Sequence, residues 1–171
     1  MFKTYLVFIF FSLFYQILNA EEIYGAPRVI DGDTVYIGSK KIRLEGIDAP
    51  EMRQMCKKPF LKISATIGFV FNKDYSCGII SKQKLKDKIG NSKIKCISSS
   101  KDRYKRYLAT CYKKQINLNR WMVSNGFAVA YKKYSKKYVR DEVYAKENKL
   151  GLWKGSFVRP EKWRKLNWFL V

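Results

Sequence analysis

The chain contains no histidine. The commonest general base is therefore missing, and His-dependent nucleases and hydrolases are excluded. Acids are scarce as well: 14 Asp and Glu stand against 35 Lys and Arg, for a formal net charge of +21. The four cysteines, Cys56, Cys77, Cys96 and Cys111, include no Cys-x-x-Cys spacing. Without histidine to complete a ligand set, that argues against a zinc site. No internal repeat and no flexible linker break the chain.

What is present points to one folded, basic domain. Its 171 residues suffice for a real core. An apolar fraction of 47% excludes a disordered tail. The positive charge is spread along the chain, which favours a basic folded surface over a basic arm. Such a surface draws in nucleic acid, anionic membrane or another acidic polymer.

Against this background, five of the 14 acids lie between Asp31 and Glu51. Clustered carboxylates repel a polyanion unless a cation sits between them. The contrast suggests a divalent metal facing a phosphate backbone.

The N-terminus reads as a separate element. Lys3 precedes an apolar run from Tyr5 to Leu18, followed by Asn19-Ala20 and then Glu21-Glu22. This is the pattern of an export signal over residues 1–20, with Ala20 before the cut and a domain over residues 21–171. The alternative is an anchor formed by residues 4–20, although a full span needs ~20 apolar residues. Export implies a secreted or periplasmic protein, and an even number of cysteines then suggests two disulfides. Three pairings are open. Cys96 and Cys111 sit in two β-like runs joined by a short loop, which would set them across adjacent strands and leave Cys56 with Cys77.

Residues 28–30 and 34–37 are β-branched and read as strand. Gly38-Ser39 turns the chain, and residues 41–47 return it. Alternation puts Ile42 and Leu44 on one face, with Arg43 and Glu45 on the other. Gly32 marks a bulge or tight bend. Residues 57–76 read as an irregular excursion, broken by Pro59, Gly68 and Asn72-Lys73-Asp74. A helix is expected over 77–89, ended by Gly90-Asn91, and paired strands over 93–98 and 106–112. A second helix contains Leu118, Trp121 and Met122 and stops at Gly126. Residues 127–130 are strand-like, and a third helix starts near Tyr138 and ends at Gly151. Early strands with interspersed helices predict a small barrel with packed helices.

Asp33 and Asp48 flank the first hairpin, so both side chains would converge at one barrel end. Hard oxygen ligands suit Ca²⁺ or Mg²⁺, and few carboxylates with open water positions suit catalysis. Pro50 stiffens the corner that sets Glu51 at a defined distance from Asp48. Taken singly, Asp31, Asp33 and Asp48 are equally ordinary turn residues. Arg43, beside these acids, would clamp a phosphate. With no histidine, proton transfer falls to a glutamate, and Glu51 is the candidate.

The segments Val29-Ile30-Asp31-Gly32-Asp33-Thr34-Val35, Ile42-Arg43-Leu44 and Ile47-Asp48-Ala49-Pro50-Glu51 resemble the staphylococcal-nuclease-like (thermonuclease) family. The likeness continues through 102–109, Asn117-Leu118-Asn119, Met122-Val123, Gly126-Phe127-Ala128, residues 131–135, Glu142, Ala145 and Gly151-Leu152-Trp153. It implies a five-stranded OB-fold β-barrel with about three packed α-helices and a Ca²⁺-dependent phosphodiesterase site. By matched position, Asp33 and Asp48 would be carboxylate ligands of Ca²⁺, and Ala49 would offer its backbone carbonyl. Asp31 would stand behind them. Glu51 would order or deprotonate the attacking water. Arg43 and Arg106 would bind the scissile phosphate, and Tyr131 and Tyr134 would lie near the nucleotide. Ala49 replaces a threonine of the founding member, and Lys105 replaces a glycine that commonly precedes the arginine. If that glycine needs a positive φ, Lys105 is strained.

The resemblance implies a nuclease acting on DNA and RNA alike, most simply as a monomer with no protein partner. A catalytically inactive OB-fold nucleic-acid-binding module, or a cationic membrane-active protein, are the alternatives. The C-terminal stretch 157–171, with Trp163, Arg164, Lys165, Trp168 and Phe169, reads as a strap that packs its tryptophans on the domain, or else as an aromatic and basic contact surface.

Overall fold

Short β-branched runs separated by tight turns build a curled, half-closed barrel. The structure, a computed structural model, describes residues 20–63 and 69–170. The expected signal segment lies outside the described residues, Ala20 apart. Strands β1 (Glu21–Gly25), β2 (Pro27–Val29), β3 (Thr34–Ile37), β4 (Lys40–Leu44), β8 (Ile94–Lys101) and β9 (Tyr107–Lys113) form one sheet in the order β1-β8-β9-β4-β3-β2. Neighbours are antiparallel except β4 and β9, which run parallel. The short strand β10 (Ile116–Asn117) pairs with β9. Strand β5 (Ile47–Asp48) pairs instead with β11 (Val129–Ala130). The whole is an OB-fold with mixed α and β content.

The β3–β4 hairpin turns at Gly38, whose φ of 57° is the left-handed conformation such a turn requires. On β4, Ile42 and Leu44 are buried in the barrel and Arg43 faces the other way, as alternation dictates. The core gathers Val35, Ile42, Leu44, Ile94, Leu118, Met122 and Tyr138. Cys96 and Cys111 are direct register partners on β8 and β9 and form a buried disulfide inside it.

Residues 57–76 are not irregular. They belong to an antiparallel hairpin of β6 (Met55–Ile63) and β7 (Phe69–Ser76). The expected breakers are absorbed locally. The register shifts between Pro59 and Leu61, so the proline sits at a bulge where its missing N–H costs little. Asn72, Lys73 and Asp74 pair in register with Pro59, Lys58 and Lys57. The Cys56–Cys77 disulfide closes the base of this hairpin.

Four α-helices, rather than about three, are present among the described residues: α1 (Cys77–Ile89), α2 (Leu118–Ser124), α3 (Val139–Glu147) and α4 (Pro160–Leu166). Helix α1 matches its expected bounds and packs Leu85 and Ile89 into the core. Helix α2 is capped by Asn117, whose side chain accepts the N–H of Arg120. Helix α3 stops at Glu147, short of the expected Gly151, because Lys149 and Gly151 both take positive φ. No helix among the described residues is long and apolar enough to cross a membrane.

Candidate active site

The acids converge because three backbone segments are tied together at one end of the barrel. Residues 31–33 make the tight bend between β2 and β3, in which the N–H of Asp33 donates to Oδ1 of Asp31 at 2.9 Å. Asp33 Oδ2 accepts the N–H of Ala49 at 3.0 Å. Asp33 Oδ1 accepts from the Thr34 hydroxyl at 3.0 Å and from Arg43 Nη1 at 2.9 Å. Asp48, paired on β5 with Val129, lies 3.1 Å from Arg43 Nη2 through its Oδ1. One guanidinium therefore spans two carboxylates that are only 4% and 1% exposed.

The site carries excess negative charge. Burial and the neighbouring Asp33 charge push Asp31 up to about 7. Burial and Asp33 likewise push Asp48 up to about 6, against the pull of Arg164 and Arg43. Burial opposes the charge on Arg43, yet Asp33 and Asp48 more than offset it and raise its affinity for the proton. Such mutual repulsion among hard oxygen donors is what a divalent cation relieves, and the donor set fits one. No cage of three or more acids is closed among the described residues.

Glu51 is placed by a buried glutamine. Its N–H donates to Gln54 Oε1 at 3.3 Å, and its carbonyl accepts the N–H of Gln54 at 2.8 Å. Gln54 is fully buried, and its Nε2 donates to the carbonyl of Val158 at 2.7 Å. Helix α1 presses on the same loop. A Cβ at Gly78 would fall 1.8 Å from the carbonyl oxygen of Glu51, so only glycine allows this approach.

Arg164 enters the site from α4. Its Nη1 lies 2.9 Å from Asp48 Oδ1 and 2.7 Å from Glu51 Oε1, and its Nη2 lies 3.2 Å from Asp48 Oδ2. Gln54 did not stand out in the sequence, and Arg164 did so only within the aromatic and basic C-terminal stretch, not as a partner of the acids. Gln54 is a single polar residue in a loop, and Arg164 is one of 35 Lys and Arg and lies over a hundred residues from its partners.

Arg106 is not drawn to the acids. Its Nε donates to Asp102 Oδ2 at 2.7 Å, and no ion pair joins it to Asp33, Asp48 or Glu51 among the described residues. Asp102 also caps the turn, accepting the N–H groups of Tyr104 and Arg106. Lys105 in that turn has φ 60°, the left-handed conformation that glycine would take without strain. By register Arg106 lies two positions before Leu108, the partner of Arg43 on β4, which leaves it beside the same sheet region. Tyr131 and Tyr134 meet edge to face, centroids 4.7 Å apart, with Tyr134 largely exposed. Burial and Asp48 raise the pKa of Tyr131, and Arg164 sits over its ring at 6.0 Å. The tyrosines thus border the acid cluster.

The profile of the family described as Staphylococcal nuclease homologue matches residues 41–155. The chain belongs to the staphylococcal nuclease family. It is 33% identical to the succinoglycan biosynthesis protein ExoI of Rhizobium meliloti, over 140 residues covering 80% of this chain and 68% of that protein. It is 32% identical to an uncharacterized endonuclease of Haemophilus influenzae, over 81% of this chain and 70% of the relative. A micrococcal nuclease of Shigella flexneri is 28% identical over 81% of this chain and 78% of its own length. The OB-fold is the family's, and the enzyme class is that of a nuclease hydrolysing phosphodiester bonds.

Proposed function

We propose that this nuclease is exported, requires Ca²⁺, and cleaves DNA and RNA without regard to the sugar. The observation that carries the reading is the convergence of Asp33 and Asp48 on the single guanidinium of Arg43. Asp33, Asp48 and the Ala49 carbonyl are the groups that would hold the ion, with Asp31 behind them. When bound, Ca²⁺ supplies positive charge against the phosphodiester. Glu51 orients and deprotonates the water that attacks in line. Arg43 and Arg106 bind the phosphate and stabilise the charge that grows on it. Tyr131 and Tyr134 sit where a nucleotide would stack or be steered. The strongly basic surface supports capture of either polymer. Export is supported by the two disulfides, which persist in oxidising compartments.

The test is digestion of single-stranded DNA and of RNA with Ca²⁺, Mg²⁺ or chelator, beside Glu51→Gln. The reading expects cleavage of both substrates with Ca²⁺, none in chelator, and a loss of about 10²–10⁴-fold in the variant. Binding of both polymers with no cleavage would instead identify an OB-fold binding protein.

A further inference from the structure

Helix α4 is held to the barrel at two places of different character. At its start the attachment is structural. Arg159 donates to Glu142 Oε1 and Oε2 and to the carbonyl of Ala130, and Val158 accepts from Gln54. Beyond that the helix buries only Pro160, while Leu166, Trp168 and Phe169 are 60%, 77% and 67% exposed. Of the two tryptophans in this stretch Trp163 is half-buried, whereas Trp168 is the most exposed of these side chains. The polar link from the helix to the site is Arg164.

That link uses atoms the metal needs. Asp48 Oδ1 accepts from both Arg43 and Arg164, and Asp48 Oδ2 accepts from Arg164. Glu51 Oε1 accepts from Arg164 as well. A cation bound to Asp48 would sit about 2.3–2.6 Å from one of these oxygens. It would lie close to a guanidinium that is already within hydrogen-bond distance of both. Two like charges at such a separation repel strongly in a site this buried. The helix is short, buries only Pro160 fully and is tethered at its start, so moving the Arg164 side chain away disturbs little of the core.

We infer that Arg164 is an internal counter-cation of the active site, and that α4 is an arm which a divalent ion releases. Arg164 neutralises Asp48 and Glu51 and lies beside Tyr131. Ion binding and the Arg164 contacts exclude one another. Arg164 therefore lowers cation affinity, and the ion opens the site by displacing the arm. The inference rests on the reading of Asp33 and Asp48 as cation ligands, and the experiment separates the two.

Ca²⁺ is titrated calorimetrically into the purified protein and into Arg164→Ala and Arg164→Lys. Arg164→Ala is expected to bind at least about tenfold more tightly than wild type. Arg164→Lys, which keeps a charge but not the fork, should fall between them. In parallel, Ca²⁺ should change the tryptophan fluorescence of wild type through Trp163 and Trp168. That change should vanish in Trp163→Phe/Trp168→Phe and in Arg164→Ala, whose arm is already free. Equal or weaker Ca²⁺ binding by Arg164→Ala overturns the arm while leaving the cation site standing. Absence of binding in wild type and Arg164→Ala alike overturns the cation site and the arm with it.

Discussion

The main-chain N–H of Ala49 donates to Oδ2 of Asp33 at 3.0 Å. This bond joins the turn before β3 to the corner after β5 and makes the two acidic segments one unit. It uses no side-chain atom of residue 49, which is why alanine serves where the family's founding member has threonine.

Arg43 is the cation that keeps Asp33 and Asp48 apart in charge. Arg43→Ala should cost about 3–5 kcal/mol of stability in chelator, as breaking a buried pair does. Ca²⁺ should restore part of it by replacing the missing positive charge. If Arg43 binds the phosphate as proposed, cleavage should fall about 10²–10³-fold. Calorimetric melting with and without Ca²⁺, beside initial cleavage rates, checks both parts. A melting point that Ca²⁺ fails to raise would separate Arg43 from the ion site.

Glu142 sets an acid limit on the fold. Burial disfavours its charge, but Arg159, Lys132 and the N–H of Ala130 outweigh burial and hold the carboxyl below its ordinary value of 4.5. A carboxyl with a depressed folded pKa stabilises the protein above the unfolded pKa. That stability is lost as pH falls through the folded value. Urea unfolding from pH 7 to pH 3 should therefore show a decline that begins near 4.5 and continues below it. Glu142→Gln should lose about 1–3 kcal/mol at neutral pH and show a shallower decline. An unchanged acid limb in the variant would assign the loss to other groups.

Lys105 holds a left-handed backbone conformation, which costs a non-glycine residue roughly 1–2 kcal/mol. Lys105→Gly should therefore stabilise the protein, by about 0.5–1 kcal/mol after the added chain entropy of glycine. The Asp102–Arg106 pairing should survive, since it uses no atom of the lysine side chain. The urea midpoint measures the gain, and a lower midpoint would mean that the turn is not strained.

The Cys56–Cys77 bridge lies beside the loop that positions Glu51. Helix α1 begins at Cys77, and Gly78 packs against the Glu51 carbonyl. Cys56→Ser/Cys77→Ser should lose about 2–5 kcal/mol of stability. It should also lose cleavage rate at temperatures where it remains folded. Cys96→Ala/Cys111→Ala, in the barrel wall, should show a comparable stability loss with a smaller kinetic effect. Rates measured well below each variant's melting point separate the two, and equal kinetic losses would contradict the local role of the first bridge.

The parts of the site that were legible in the sequence are those close together along the chain. Asp31 to Glu51 form one hairpin and one corner, so alternation and turn chemistry suffice to bring Asp33, Arg43 and Asp48 together. Most barrel strands were legible from their β-branched runs, as was helix α1 with its terminal glycine, but β1 (Glu21–Gly25), which pairs with β8, was not. Arg164 was not legible because its partners are 113 and 116 residues away and its neighbours are equally basic. The β6–β7 hairpin was hidden by Pro59, which the bulge accommodates at no visible signal in composition. Arg106 marks a different difficulty: its position just before β9 could be read, but the direction of its guanidinium is decided by Asp102.

Gln54 has a consequence for where this molecule can be cut. The stretch matched by the family profile ends at residue 155, yet the carbonyl that receives the Gln54 amide belongs to Val158. A fragment ended at that boundary would leave the buried Gln54 amide with nothing to donate to, directly beside the backbone of Glu51. The profile's boundary therefore falls inside the network that holds the Glu51 loop, and Val158 and Arg164 beyond it reach that network.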